Sequence, residues 1–319
     1  MSKPAKRRAA DAPILVTMGE PAGIGPEIAV AAFYALGGRI ANHPLKLIGD
    51  ASVLRSCGLK DDAAIVPTHA EASRSPGKPA PSNAKAVIEA IENAVAMARK
   101  GEAAAVVTAP INKAALVHAG FPYPGHTEFL EALTHAPRAV MMLASDVLRV
   151  APLTIHKPLA SVPAAISTEG IVEAGEIILL ALKRFFGLPQ PRLAVAGLNP
   201  HAGEDGVLGN EEKAIIAPAV AALRSRGHKV TGPLPADTMF HAEGRARFDA
   251  ALCMYHDQAL IPLKTLSFWD GVNVTLGLPI IRTSPDHGTA LDIAGTGRAD
   301  ARSMIAAIRM AAQMADAER

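Results

Sequence analysis

Short apolar runs alternate with longer helical patterns along almost the whole chain, and this alternation constrains the fold more than any other feature. Ile14–Met18, Leu45–Ile48, Ala104–Thr108, Arg192–Ala196 and Ala250–Tyr255 each read as a buried strand bounded by Gly, Pro or polar residues. Between them, Pro26–Leu36, Ser82–Lys100, Ser167–Phe186 and Glu211–Arg226 read as helices. Ser82 is placed to cap its helix, and Pro26 suits a first turn, where its missing N–H has no partner to lose. Ser167–Phe186 sets Ile171, Ala174, Ile178, Ala181 and Phe185 along one face, a stripe that points to a core. Alternation of this kind implies α/β architecture with a largely parallel sheet. Thr68–Ser82, rich in Pro and Ser, reads as a loop with the composition of a mobile segment.

Length and composition narrow the class. The 319 residues suffice for two domains or one large α/β unit, and with 50% hydrophobic and 19% charged residues the profile is globular. A net charge of +2 and 4% aromatics argue against nucleic acid as a partner, because neither a basic face nor a base-stacking platform is present. No apolar run approaches the ~20 residues of a membrane-crossing helix. Ser2–Asp11 carries Lys3, Lys6, Arg7 and Arg8 without a following apolar region, and reads as a disordered tail, not a signal peptide. Cys57 and Cys253 lie far apart, so no disulfide framework is expected and a reducing cytoplasm is the simplest location. Cys253, inside an apolar run, reads as a small buried hydrophobe, and Met141 and Met142 as core filler.

Periodicity does not absorb four polar stretches that each follow an apolar run: Pro124–Glu128, Leu153–Lys157, Asn199–Gly209 and Tyr255–Gln258. Loops after strand ends build ligand sites in open α/β sheets, and each of these stretches holds a histidine. His156, His201 and His256 stand 45 and 55 residues apart. Three neutral imidazoles and an open position suit a catalytic zinc or a similar divalent ion, though each alone also fits a partly buried histidine. Gly19–Glu27 follows a strand and opens a helix without GxGxxG spacing; it fits either an anion site at a helix start or a tight turn that needs glycine. Thr283–Gly297, rich in glycine with Asp and His, fits a nucleotide-binding loop or an elaborate surface loop. Lys264, Asn273 and Arg282 together fit recognition of a carboxylate or phosphate, whereas singly they read as solvated surface groups. No GxxxxGK[ST] occurs, which sets a P-loop phosphotransferase aside.

Taken together, GEPAGIGPE, TAPINK (Thr108–Lys113), GHTEF (Gly125–Phe129), NPHAGEDG, GPLPADTMF (Gly232–Phe240), YHDQALIPLK (Tyr255–Lys264) and the HGTALDIAGTG loop from His287 resemble the 4-hydroxythreonine-4-phosphate dehydrogenase family of vitamin B6 biosynthesis. The segments follow the family's order and cover nearly the whole chain. The resemblance implies a two-domain fold similar to the isocitrate and isopropylmalate dehydrogenases, with a central cleft. Residues 1–130 plus 280–319 would form the first α/β domain and 131–279 the second. It also implies a homodimer with a metal site shared between subunits. By position, His156, His201 and His256 match metal ligands; zinc leads, with cobalt or magnesium as alternatives. His126, Thr127, Lys264, Asn273 and Arg282 match substrate contacts. His287, Gly288, Ala290, Asp292 and Gly295 lie in a loop similar to the superfamily's adenosine-binding loop, so NAD or NADP is expected. Asp257 and Asp237 are candidates for proton transfer or for orienting a ligand.

The implied reaction is metal-assisted oxidation of the C3 hydroxyl of 4-phosphooxy-L-threonine, followed by decarboxylation of the β-keto acid. A related dehydrogenase acting on threonate or erythronate 4-phosphate, or on a ring dihydrodiol, would use nearly the same residues. A binding protein that kept the fold and lost the chemistry is the reading from a different class.

Overall fold

The computed structural model describes residues 9–318; the tail expected over Ser2–Asp11 lies mostly outside them. Twelve strands run through these residues: β1 (Ile14–Thr17), β2 (Arg39–Ile40), β3 (His43–Gly49), β4 (Ile65–Pro67), β5 (Ala105–Thr108), β6 (Val140–Ala144), β7 (Arg149–Pro152), β8 (Arg192–Ala196), β9 (Lys229–Leu234), β10 (Ala250–Cys253), β11 (Val272–Leu276) and β12 (Arg282–Pro285). The described residues divide into two compact units, one of 9–139 with Val272–Ala317 and one of Val140–Gly271. Among the described residues no helix is long and apolar enough to cross a membrane.

In the first unit, β3, β1, β5 and β12 lie parallel in that order, β4 adds in parallel to β3, and β11 closes antiparallel on β12. β1 and β5 are buried at every position, as strands covered on both faces must be, and Ile14, Leu15, Val16, Val106 and Val107 are wholly inaccessible. The parallel register sends the chain out of β1, β5 and β12 at the same sheet edge. GEPAGIGPE, the TAPINK residues and the His287 loop all emerge there.

In the second unit β6 pairs antiparallel with β7, and β7, β10, β8 and β9 then run parallel. Leu143, Val150, Ala194, Ala251 and Cys253 form its core with Leu263 of the helix His256–Leu266. Burial pushes the Cys253 thiol pKa up, which suits an inert hydrophobe. The strands β7, β8 and β10 deliver Leu153–Lys157, Asn199–Gly209 and Tyr255–Gln258 at their carboxyl ends, so all three candidate ligand segments share one sheet edge.

Local differences from the sequence expectations have identifiable causes. The helix expected from Ser82 starts at Ala84, because Pro81 opens a 3-10 turn and the Asn83 side chain is bonded to Ser73 N and O at 2.9 Å each. Ser167 does cap its helix, accepting from Gly170 N at 3.0 Å. The helix expected over Glu211–Arg226 begins as a wide π turn, Glu212–Ile216, before Ala217–Ser225. Pro218 lacks the N–H that would continue a regular ladder back into it. β10 stops at Cys253 because Tyr255 opens the helix His256–Leu266. The loop 68–82 is pinned: Ala72 N donates to Asp50 Oδ2 at 2.9 Å, Gly77 N to Ala22 O at 2.8 Å, and Arg74 Nη2 pairs with Glu27 Oε1 at 2.5 Å.

Candidate active site

Arg282 opens β12 and is 3% exposed. Its Nη1 donates to Thr275 Oγ1 at 2.8 Å and its Nη2 to Thr108 Oγ1 at 2.5 Å. Among the described residues no carboxylate pairs with it, and its buried Nε has no partner. Burial pulls its pKa down to about 10, yet it remains a cation at neutral pH. A buried cation without a counter-ion costs several kcal/mol by order of magnitude, a cost that a bound anion would offset. Three further buried polar atoms in this unit lack partners: Arg74 Nε, His126 Nε2 and Asn273 Oδ1. Asn273 faces Ser284 across the β11–β12 ladder, two residues along β11 from the Thr275 that Arg282 contacts.

His126 begins the helix His126–Thr134, with Thr127 beside it. Burial, then Arg282, then Lys113 push its pKa well below the ordinary histidine value, so the ring is neutral at pH 7. Lys113, which the sequence reading did not single out, comes from the TAPINK stretch after β5. Three groups expected to contact substrate therefore present orphaned polar atoms within one unit.

The loop expected to receive a nucleotide is docked, not free. Thr289 O accepts from Ile24 N at 3.0 Å, and Gly295 N donates to Glu27 Oε1 at 2.7 Å. A Cβ on Gly23 would stand 2.7 Å from Thr289 O, so glycine is required there for close approach. Gly23 N and Ala22 N are bonded to Glu20 O and Oε1, which favours the tight-turn reading of GEPAGIGPE over an anion site. Within the loop, His287 Nδ1 lies 2.9 Å from Gly288 O, Ala290 has φ of 43°, and Gly288, Asp292 and Gly295 are exposed.

The histidine segments of the second unit are tied together through the backbone. Thr154 Oγ1 donates to Met254 O at 2.7 Å, Met254 N to Gln258 Oε1 at 2.7 Å, and Gln258 Nε2 to Gly197 O at 2.7 Å. One buried amide thus links positions just before His201 and His256, and Thr154 adds the segment of His156. The His156 and His256 ring centres are 6.2 Å apart. His256 Nδ1 lies 2.7 Å from Asp257 Oδ1; a carboxylate accepts there, which fixes the proton on Nδ1 and leaves Nε2 free to ligate. This chemistry fits a borderline divalent cation. Among the described residues, however, no three His, Cys, Asp or Glu come close enough to hold a metal.

His201 opens a turn whose five residues are all left-handed: His201 φ 52°, Ala202 51°, Gly203 79°, Glu204 42° and Asp205 55°. Four of them carry a Cβ, so at roughly 1–2 kcal/mol each the turn holds on the order of 4–8 kcal/mol of backbone strain. Asp237 is exposed in a 3-10 turn after β9, and Lys264 Nζ sits 5.4 Å from the Phe268 ring centre. Gln258 lies inside the YHDQ stretch, whose residue types do not reveal its linking role, and the left-handed turn has no local sequence signal.

A model of the family described as pyridoxal phosphate biosynthetic protein PdxA matches residues 34–311. A 4-hydroxythreonine-4-phosphate dehydrogenase of Roseobacter denitrificans is 53% identical, the match covering 96% of this chain and 98% of that protein. The chain belongs to the PdxA family. Among solved structures, a 4-hydroxythreonine-4-phosphate dehydrogenase from Klebsiella pneumoniae superposes with a TM-score of 0.85 at 40% identity, covering 96% of this chain and 100% of that one. A terephthalate 1,2-cis-dihydrodiol dehydrogenase from Burkholderia xenovorans is more distant, at TM-score 0.69 and 29% identity over 95% of this chain and 98% of that one. A β-decarboxylating dehydrogenase from Thermococcus kodakarensis, at TM-score 0.53 and 16% identity over 95% of this chain and 82% of that one, shares the fold. The expected α/β class therefore holds for this PdxA-family chain, and its fold is shared with a dehydrogenase of the wider kind expected.

Proposed function

We propose that this PdxA-family chain is an oxidoreductase that oxidises 4-phosphooxy-L-threonine at C3 with NAD or NADP and releases 3-amino-2-oxopropyl phosphate after decarboxylation, within pyridoxal phosphate biosynthesis. The observation that carries the reading is Arg282, a buried cation with an orphaned Nε and no acidic partner among the described residues. An anionic substrate supplies the missing charge. Asn273 Oδ1 offers an acceptor to a substrate N–H or O–H, and neutral His126 offers Nε2 for a hydrogen bond without adding a competing charge. Thr127 and Lys264 complete the substrate contacts, and the exposed loop holding His287, Gly288, Ala290, Asp292 and Gly295 receives the cofactor.

His156, His201 and His256 hold the metal, zinc first among the candidates with cobalt or magnesium as alternatives. When bound, the metal supplies Lewis acidity at the C3 hydroxyl and the nicotinamide supplies the two-electron oxidant. Asp257 orients His256 through Nδ1; Asp237 is the remaining proton-transfer candidate.

The donor set is completed in a homodimer. What supports this is that large apolar side chains lie exposed in the chain segments that follow each histidine in sequence: Leu159 at 66%, Val207 at 77%, Ile261 at 64% and Phe268 at 61%. A second copy of the chain is the occupant that would cover them while bringing further histidines to the set. Two unpaired cysteines are in keeping with a cytoplasmic location.

The test is NADH formation by the metal-loaded protein with 4-phosphooxy-L-threonine, compared with 4-phosphothreonate, 4-phosphoerythronate and a ring dihydrodiol. Turnover of the first is expected to exceed the others by orders of magnitude; its absence sinks the assignment. Sedimentation of the same sample should give a dimer, and a monomer at assay concentration would overturn the shared site.

A further inference from the structure

Glu212 is a carboxylate 4% exposed, and it receives only neutral donors. Its Oε1 accepts from Leu198 N and Asn199 N at 2.7 Å each, and its Oε2 from Asn199 Nδ2 at 3.0 Å. A buried carboxylate without a cation is costly, so its placement needs a reason. The reason lies in what it touches. Leu198 and Asn199 are the two residues that lead into the left-handed turn 201–205, and a Cβ on Gly203, at the turn's centre, would stand 2.5 Å from Glu212 Oε2. The carboxylate therefore packs against the turn's backbone from within. The π turn that Glu212 opens is what carries its side chain there.

We propose that Glu212 is the positioning residue for His201: it holds the turn in the one shape that presents the imidazole to a divalent cation. Residues with a Cβ leave the left-handed region unless the surroundings hold them, and the turn's other tethers are few. They are Val207 N to Glu204 O at 3.1 Å, Leu208 N to Gly203 O at 3.1 Å, and Lys213 Nζ on Asp205 O. A further bond, Ala202 N to Asn199 O at 3.1 Å, reaches residue 199, but none takes the backbone N–H of Leu198 or Asn199, which Glu212 Oε1 accepts where the chain enters. An amide cannot replace the acid, because the NH2 of a glutamine would face Asn199 Nδ2, donor against donor. Volume would be kept and one acceptor lost. The proposal rests on the metal-dependent reading above.

The test is a double-mutant cycle read as apparent Zn2+ affinity of the full-length protein, by competition with a chromogenic chelator. Glu212→Gln is expected to weaken Zn2+ binding tenfold to a hundredfold, as loss of groups that orient ligands does. His201→Ala should weaken it further, and adding Glu212→Gln to His201→Ala should change nothing more. The cycle separates positioning from general destabilisation, because a loosened fold would also weaken whatever binding His201→Ala retains. Wild-type affinity in Glu212→Gln, or a loss that adds to that of His201→Ala, overturns the proposal and leaves the metal reading standing. Wild-type affinity in His201→Ala overturns both. Should Glu212→Gln fail to fold, Asn199→Ala removes the donor to Oε2 and is expected to weaken Zn2+ binding several-fold; unchanged affinity there overturns the proposal equally.

Discussion

In the first unit Arg282 is 3% exposed, and its neighbours His126 and Asn273 present buried polar atoms without partners. In the second, His156 and His201 are exposed, and their segments are joined by a chain of hydrogen bonds through Thr154, Met254 and Gln258. One region carries unmet electrostatic demand inside the fold. The other ties its histidine segments through the backbone, and among the described residues no three His, Cys, Asp or Glu there come close enough to hold a metal. Adjacent strands can thus gather buried polar groups whose charge stays unmet, whereas histidines at the ends of separate strands, even with their segments tied through the backbone, form no three-ligand cluster among the described residues.

Arg282 carries the largest expected effect. Arg282→Met should lower kcat/KM by about a thousandfold or more, in the range set by losing a buried charged contact. The apo protein should melt no lower than wild type, because an uncompensated buried charge has been removed. Retained activity would mean that the cation serves the fold and not the substrate.

Gln258→Glu comes next. The carboxylate can still accept from Met254 N but meets Gly197 O as acceptor against acceptor, at a cost of about 1–3 kcal/mol. Lower unfolding free energy and weaker Zn2+ binding should appear together; a variant equal to wild type in both would remove Gln258 from the frame.

The pH dependence of stability sharpens the contrast. Folding lowers the pKa of His126, so below about pH 6.5 the unfolded chain binds a proton that the folded one resists. Stability attributable to this residue is complete above that value and is lost as pH falls, with a slope of at most about 1.4 kcal/mol per pH unit. The difference between wild type and His126→Asn in unfolding free energy from pH 7.5 to 5.5 should show this trend. An equal slope in both proteins would contradict the electrostatic picture of the first unit.

The smallest effect expected is a gain. Glu204→Gly should raise stability by roughly 1 kcal/mol, because glycine takes a left-handed φ without penalty. A fall in melting temperature would argue against the left-handed turn.

Much of the fold was legible in sequence where burial is simplest. β8 coincides with the run read from it, and Ser167 caps as its position suggests, since a strand buried on both faces and an N-cap each leave a local mark. The antiparallel β6 and β11, the π turn and the helix His256–Leu266 were not legible, because short elements beside polar motifs carry no clear period. Site residues divide similarly. Motif order marked His126, Arg282 and the three histidines, whereas Gln258 joins the backbone of Met254 to that of distant Gly197, and Glu212 reaches back to the N–H groups of Leu198 and Asn199. Neither residue type nor spacing announces such a link.

By itself the sequence determined the α/β class, the parallel strands and the family, since hydrophobic period and motif order are written locally along the chain. Only the tertiary structure decided which charges go unpaired, where amide hydrogens are spent and which residues are forced left-handed. Those properties depend on what surrounds a group in space, and a carboxylate such as Glu212 takes its meaning from a turn it meets only after folding.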